Sequence, residues 1–180
     1  MKKRISIIIA VCLLAMGITA CGNSDVPAKR AKEEIAAFTG KLQFELPEGF
    51  AEAEETDGVT YYCTEDYPEV ASNICYSVSE KDSSFDVISA KYFTKKIAAE
   101  LKKGYDQKVT TTIVEEGFFE LDGRRGFMYI AEYQLEEVKI VQMQYILEDA
   151  EEFHFITYTE MNDEGFLNAF KESAKTIRFE

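Results

Sequence analysis

The sequence predicts an α+β domain, a mainly antiparallel β-sheet flanked by helices. Three observations carry this prediction. From residue 41 onward several short stretches alternate apolar and polar side chains, as half-buried strands do. Two stretches, one central and one C-terminal, switch instead to helical spacing. The strand-like stretches are joined by short reversals, among them an Asp122-Gly123 pair, so neighbours along the chain pair antiparallel.

Taken in order, "KLQFELPEGF" alternates Leu42, Phe44 and Leu46 against Gln43 and Glu45, which predicts a strand that Pro47 and Gly49 end in a turn. "GVTYYCT" and "NICYSVS", rich in Tyr and β-branched residues, predict two strands joined by the acidic loop "EDYPEVAS". In "FDVISAKYFTKKIAAELKKG" the residues Phe93, Ile97 and Leu101 fall at helical spacing. Ser83 or Ser84 is the expected cap, and Lys102, Lys103 and Gly104 close the C-terminus. A β-meander follows: "VTTTIVEEGFFELDGRRGFMYIAEY" folds back at Asp122-Gly123, "EEVKIVQMQYIL" sets Val141, Met143, Tyr145 and Leu147 against Gln142 and Gln144, and "EEFHFITYTE" adds a further strand. The chain closes with a helix capped by Asn162, with Phe166, Phe170, Ala174 and Ile177 on one side. The order is three strands, a helix, four strands and a helix.

The start of the chain is of a different kind. Lys2, Lys3 and Arg4 precede an apolar run from Ile5 to Ala20, the charged and apolar regions of an export signal. The run is shorter than the roughly 20 apolar residues a membrane span needs, and it ends in small residues, so cleavage is expected rather than a permanent transmembrane anchor. Ile18-Thr19-Ala20-Cys21 resembles the bacterial lipobox. That resemblance implies cleavage before Cys21, a diacylglycerol on its sulfur, further acylation of the new amino terminus, and firm attachment to the outer side of the cell membrane. Residues 1–20 are then the signal, 21–40 the lipidated cysteine and a tether with one or two helical turns between Ala28 and Phe38, and 41–180 a single folded domain.

The whole chain carries a formal charge of −13. Losing residues 1–20 removes three basic and no acidic side chains, which leaves 17 Lys plus Arg against 33 Asp plus Glu, or about −16. Nucleic acid is excluded as a partner on this ground, because such binding rests on basic side chains that displace counterions from phosphate. The same field repels anionic headgroups, so the lipid and not the domain surface is expected to hold the membrane.

After processing and lipidation, Cys63 and Cys75 are the remaining cysteines. An exported location permits a disulfide between them. If Tyr62, Ile74 and Tyr76 share the core face, both sulfurs lie on the other face, where a cross-strand bridge is one reading and two independent thiols the other.

From residue 41 to the end the sequence resembles the Mog1/PsbP-like group: an early "LPEGF", the hairpin "LDGRRGF", and the closing "FHFITYTEMNDEGFLNAFKESAKTIRF". The resemblance implies an α/β/α sandwich. The group includes photosystem accessory proteins, a regulator of a small GTPase and many bacterial lipoproteins, so it selects no chemistry, though its members act by binding other macromolecules.

No catalytic motif stands beside it. His154, the one histidine, has no nucleophile signature around it, and zinc draws on several His or Cys ligands, so neither a hydrolase triad nor a zinc centre is expected. The clusters Glu65-Asp66-Glu69 and Glu148-Asp149-Glu151-Glu152 lack the spacing of a calcium loop. Asp163 and Glu164 suit the first turn of the last helix, and Arg124 and Arg125 suit pairing with nearby carboxylates. Gly117, Gly123 and Gly126 lie in a hairpin with no helix opening after them to take a phosphate. Aromatic residues on the outward strand faces would make a binding patch. The expectation is a non-catalytic, lipid-anchored interaction module, without metal or cofactor, that holds an envelope or membrane protein. The alternatives are a lipoprotein that binds a small ligand or a calcium-like cation and, behind it, an envelope hydrolase.

Overall fold

The computed structural model describes residues 42–56, 58–81 and 84–179, so the expected signal, Cys21 and the tether lie outside the described residues. Its elements are β1 (Leu42–Gln43), β2 (Phe50–Thr56), β3 (Val59–Thr64), β4 (Asn73–Glu80), α1 (Ala90–Tyr105), β5 (Thr110–Leu121), β6 (Arg124–Gln134), β7 (Lys139–Glu148), β8 (Glu152–Met161), α2 (Leu167–Ala174) and β9 (Arg178–Phe179). β2 to β8 form one antiparallel sheet in the order β2-β3-β4-β8-β7-β6-β5, while β1 and β9 pair as a separate ribbon. The chain leaves the sheet after β4, crosses through α1 to the far edge, and returns as the meander β5 to β8, which brings β8 against β4.

The meander follows from local chemistry. Asp122 and Gly123 have φ of 52° and 74°, the pair of left-handed conformations that a two-residue hairpin matched to strand twist requires. Each sheet face is buried by a different layer. On one face Phe93, Ile97 and Leu101 of α1 pack with Tyr129, Tyr133 and Phe155. On the other, Phe170 and Ala174 of α2 and Leu42 of the ribbon pack with Ile74, Met143 and Tyr158. The result is the α/β/α layering of an α+β fold.

Several local expectations are corrected. β2 was not predicted: "FAEAEET" is acidic and Ala-rich, but as the edge strand it needs one neighbour only, and the exposed Glu52 suits an edge. The strand expected over Leu42 to Leu46 is reduced to β1, outside the main sheet, and Leu46 is 36% exposed. Ser84 caps a 3-10 turn over Phe85–Val87, α1 starts after Ser89, and Asp106 at φ 56° ends it in place of Gly104. Asn162 does not cap α2; its Oδ1 accepts from the Lys139 backbone N–H at 3.1 Å. Glu160 does the capping, its Oε1 accepting from the Gly165 and Leu167 amides at 2.8 and 3.0 Å. Asp163 accepts from Lys139 Nζ, and Glu164 accepts from the amides of Ala71 and Ser72, so neither serves the first turn of α2. Gln142 and Gln144, expected on a solvent face, are fully buried because β7 is covered on both sides.

Cys63 and Cys75 do share the face opposite Tyr62, Ile74 and Tyr76, yet the bridge between them is not formed and Cys63 is a free, buried thiol. The register explains it: Cys63 stands opposite Asn73, and Cys75 opposite Tyr61. The two are diagonal neighbours, about 7–8 Å apart, beyond the Cα separation a disulfide tolerates.

Candidate functional site

β8 places His154 between Val78 of β4 and Leu147 of β7, on the face that carries Tyr76 and α2. The imidazole is 4% exposed and closed in by rings: Tyr76 stacks on it at 6.2 Å, and Phe179 of β9 meets it edge-on at 5.4 Å. Its Nδ1 is 2.9 Å from the Tyr76 hydroxyl, and its Nε2 faces the Asp149 carboxylate at 3.9 Å. Asp149 is in turn held by Arg124 Nε at 3.6 Å, and the Arg124 guanidinium lies 3.9 Å over the Phe179 ring. The carboxylate beside Nε2 favours the Nε2–H tautomer, which leaves Nδ1 to accept the phenol proton.

A carboxylate, an imidazole and a hydroxyl in line invite comparison with a nucleophilic triad. The electrostatics point the other way. Burial lowers the proton affinity of His154, with Asp149 and Glu152 opposing and Arg124 adding to the effect. Burial first, and then Glu152 and Tyr62, push the Tyr76 phenol up to about 12. A nucleophile needs a lowered pKa or a strong adjacent base; here the phenol is held protonated and the imidazole neutral. No serine, threonine or cysteine makes a hydrogen bond to His154 among the described residues.

Tyr76 also lines a cavity of about 570 Å³ between the β1 segment and β2 to β4. Leu42, Phe44 and Leu46 form one wall, and Glu52, Tyr62 and Tyr76 another. Register fixes this arrangement: Glu52 stands directly opposite Tyr62 across the β2–β3 ladder, and Tyr76 is the diagonal neighbour of Tyr62. Phe44 meets Tyr62 edge-on at 5.6 Å. Burial first, and then the Glu52 charge, raise the Tyr62 phenol above its ordinary value.

A third feature is the edge strand β5, whose Val114 and Phe118 are 56% and 60% exposed. Phe118 rests on Phe85 and Phe127 at 5.8 and 5.0 Å, so it is an outward aromatic seated on core rings. Helix α1 carries Lys91, Lys95, Lys96, Lys102 and Lys103 against one acid, Glu100, a locally basic surface on an acidic chain that whole-chain charge conceals.

Of the carboxylates singled out in the sequence, Glu148, Asp149 and Asp163 are paired with cations. Glu148 pairs with Lys81 and with Arg125 at 3.8 Å, while Arg125 also reaches Asp86 at 2.5 Å. Among the described residues no group of three or more His, Cys, Asp or Glu side chains is placed to hold a metal ion. Nor is any described helix long and apolar enough to cross a membrane. From the sequence Tyr62 and Tyr76 read as core-face residues and His154 as non-catalytic, and neither Glu52 nor Phe44 is drawn into a site. The alternation of Leu42, Phe44 and Leu46 marked that segment as apolar without showing what it would cover.

No family model matches the chain, and no curated protein does. Solved structures do. Cyanobacterial PsbP (CyanoP) from Synechocystis sp. PCC 6803 superposes with a TM-score of 0.54 at 11% identity, over 91% of this chain and 99% of that one. A protein from Bacteroides thetaiotaomicron VPI-5482 gives a TM-score of 0.47 at 12% identity, over 77% of this chain and 45% of that one. PA94, a Pseudomonas aeruginosa protein of unknown function, gives 0.43 at 13% identity, over 76% and 96%. The first of these shows a PsbP-like fold, as the resemblance from residue 41 onward implied.

Proposed function

We propose that this protein is a lipid-anchored, extracytoplasmic accessory module that binds an envelope or membrane protein without catalysing a reaction. The anchor is the lipid on Cys21, carried by the lipobox-like start of the chain. Tethering a domain by residues 22–40 raises its effective concentration toward partners in or near the same bilayer. The observation that carries the interaction reading is the β5 edge: a 12-residue strand with no neighbour on one side among the described residues and with exposed Val114 and Phe118, the kind of surface partners pair with or cover. The absence of catalysis is supported by the Tyr76–His154–Asp149 chain, whose phenol stays protonated.

In-cell crosslinking of the anchored protein, read by mass spectrometry against a Cys21→Ala control, tests this reading. A reproducible protein partner that disappears in the control is expected. A partner set indistinguishable from background overturns it.

A second reading, a lipoprotein that binds a small ligand, is favoured by the cavity over Tyr62 and Tyr76, whose volume of about 570 Å³ falls in the range of ligand pockets.

A further inference from the structure

We propose that the cavity between the β1 segment and β2 to β4 binds a small organic cation through its ammonium group, with Phe44, Tyr62 and Tyr76 presenting aromatic faces and Glu52 supplying the counter-charge. The inference rests on the ligand-binding reading of this cavity and names its ligand class.

Four observations converge. First, the three rings come from separate elements, half-buried around one space, and Phe44 stands edge-on to Tyr62 at 5.6 Å. Rings at an angle to one another present more than one π-face, which is how aromatic cages hold alkylammonium groups. Second, among the described residues Glu52 is the charged residue of the lining and neither Lys nor Arg lines the cavity, so an anion meets repulsion there. Third, two of the polar groups are already engaged: the Tyr76 hydroxyl is bound to His154 Nδ1, and Gln43 Oε1 accepts from Arg178 Nη2 at 3.3 Å. Thr60 and Tyr62, which also line the space, leave hydroxyls for the polar part of a ligand, while the π-faces and the carboxylate serve its cationic group. Fourth, Leu42, Leu46 and Val78 leave apolar wall for the alkyl or aryl part of the molecule. A bare divalent metal ion is not matched, since it draws on about six or more oxygens and the cavity offers one carboxylate. The acidic chain, at −13, adds a long-range field that concentrates cations near its surface.

The test titrates the full chain with choline, with its neutral isostere 3,3-dimethyl-1-butanol, and with phosphocholine, following the ring signals of Tyr62 and Tyr76 by NMR. Choline is expected to shift those signals and to bind at least about tenfold more tightly than the isostere, with a similar loss in Glu52→Gln. Glu52 lies on an exposed edge strand, so this variant keeps the fold, and Tyr62→Leu is the second variant, expected to weaken choline as well. Phosphocholine binding as tightly as choline assigns the site to zwitterionic headgroups; weaker binding assigns it to free amines. Equal binding of choline and the isostere, unchanged by Glu52→Gln, overturns the cation inference and leaves the ligand reading standing. No shift with any of the three probes overturns both.

Discussion

The Tyr76 hydroxyl lies 2.9 Å from His154 Nδ1, and the two rings stack within 12° of parallel. This pair sits beneath the cavity wall and beside the Asp149–Arg124 ion pair, so the charge state of one imidazole is felt by groups from β4, β6 and β8.

Because burial holds His154 below its ordinary value of 6.5, the unfolded chain takes up that proton more readily than the folded one. The contribution is therefore fully present above pH about 6.5 and is lost as pH falls through the folded value. The difference in unfolding free energy between wild type and His154→Gln should shrink on acidification below that point. A difference that stays flat between pH 7 and pH 5, measured by urea denaturation, refutes the assignment.

Gly126 stands opposite Phe119 across the β5–β6 ladder, and a Cβ there would overlap the ring, with Cε1 2.6 Å away. Gly126→Val should cost about 1–3 kcal/mol, and less in a Phe119→Ala background where the ring is gone. Equal costs in both backgrounds would show that the ring is not the obstacle.

Phe118 touches Phe85 and Phe127 but is 60% exposed, so Phe118→Lys should lower stability by no more than about 1 kcal/mol. On the proposed function the same change, with Val114→Lys, abolishes partner crosslinking. Retention of the partner by the folded double variant moves the interface away from β5.

Burial pushes the Cys63 thiol up to about 11 from an ordinary 9.0. Its thiolate fraction near pH 8 is then about a hundredfold below that of an ordinary cysteine. Alkylation at Cys63, followed by peptide mass spectrometry, should be slow in native protein and speed up sharply in denaturant; rapid native labelling contradicts the packed position.

Cys21→Ala should release the protein from membranes or leave it unprocessed. Normal cleavage with unchanged membrane retention, judged by fractionation, rules out lipid attachment at that residue.

What the sequence by itself determined is what depends on near neighbours in the chain. Asp122-Gly123 supplies the two left-handed residues of its turn whatever surrounds it. Phe93, Ile97 and Leu101 line one face of a helix by spacing alone, and alternation over 139–148 marks a strand before any partner is known. Tertiary structure decided whatever rests on register and on segments distant in sequence. The acidic β2 becomes a strand because β3 offers it an edge, and Glu52 meets Tyr62 only through that pairing. A two-residue offset between β3 and β4 separates Cys63 from Cys75. Tyr76 reaches His154 because the crossover through α1 returns β8 beside β4, 78 residues along the chain. Period-two alternation tells which face a side chain takes, but a slide of the strand by two residues keeps every face and changes every neighbour. Sites made of neighbours across strands are therefore written in the pairing, which long-range packing selects.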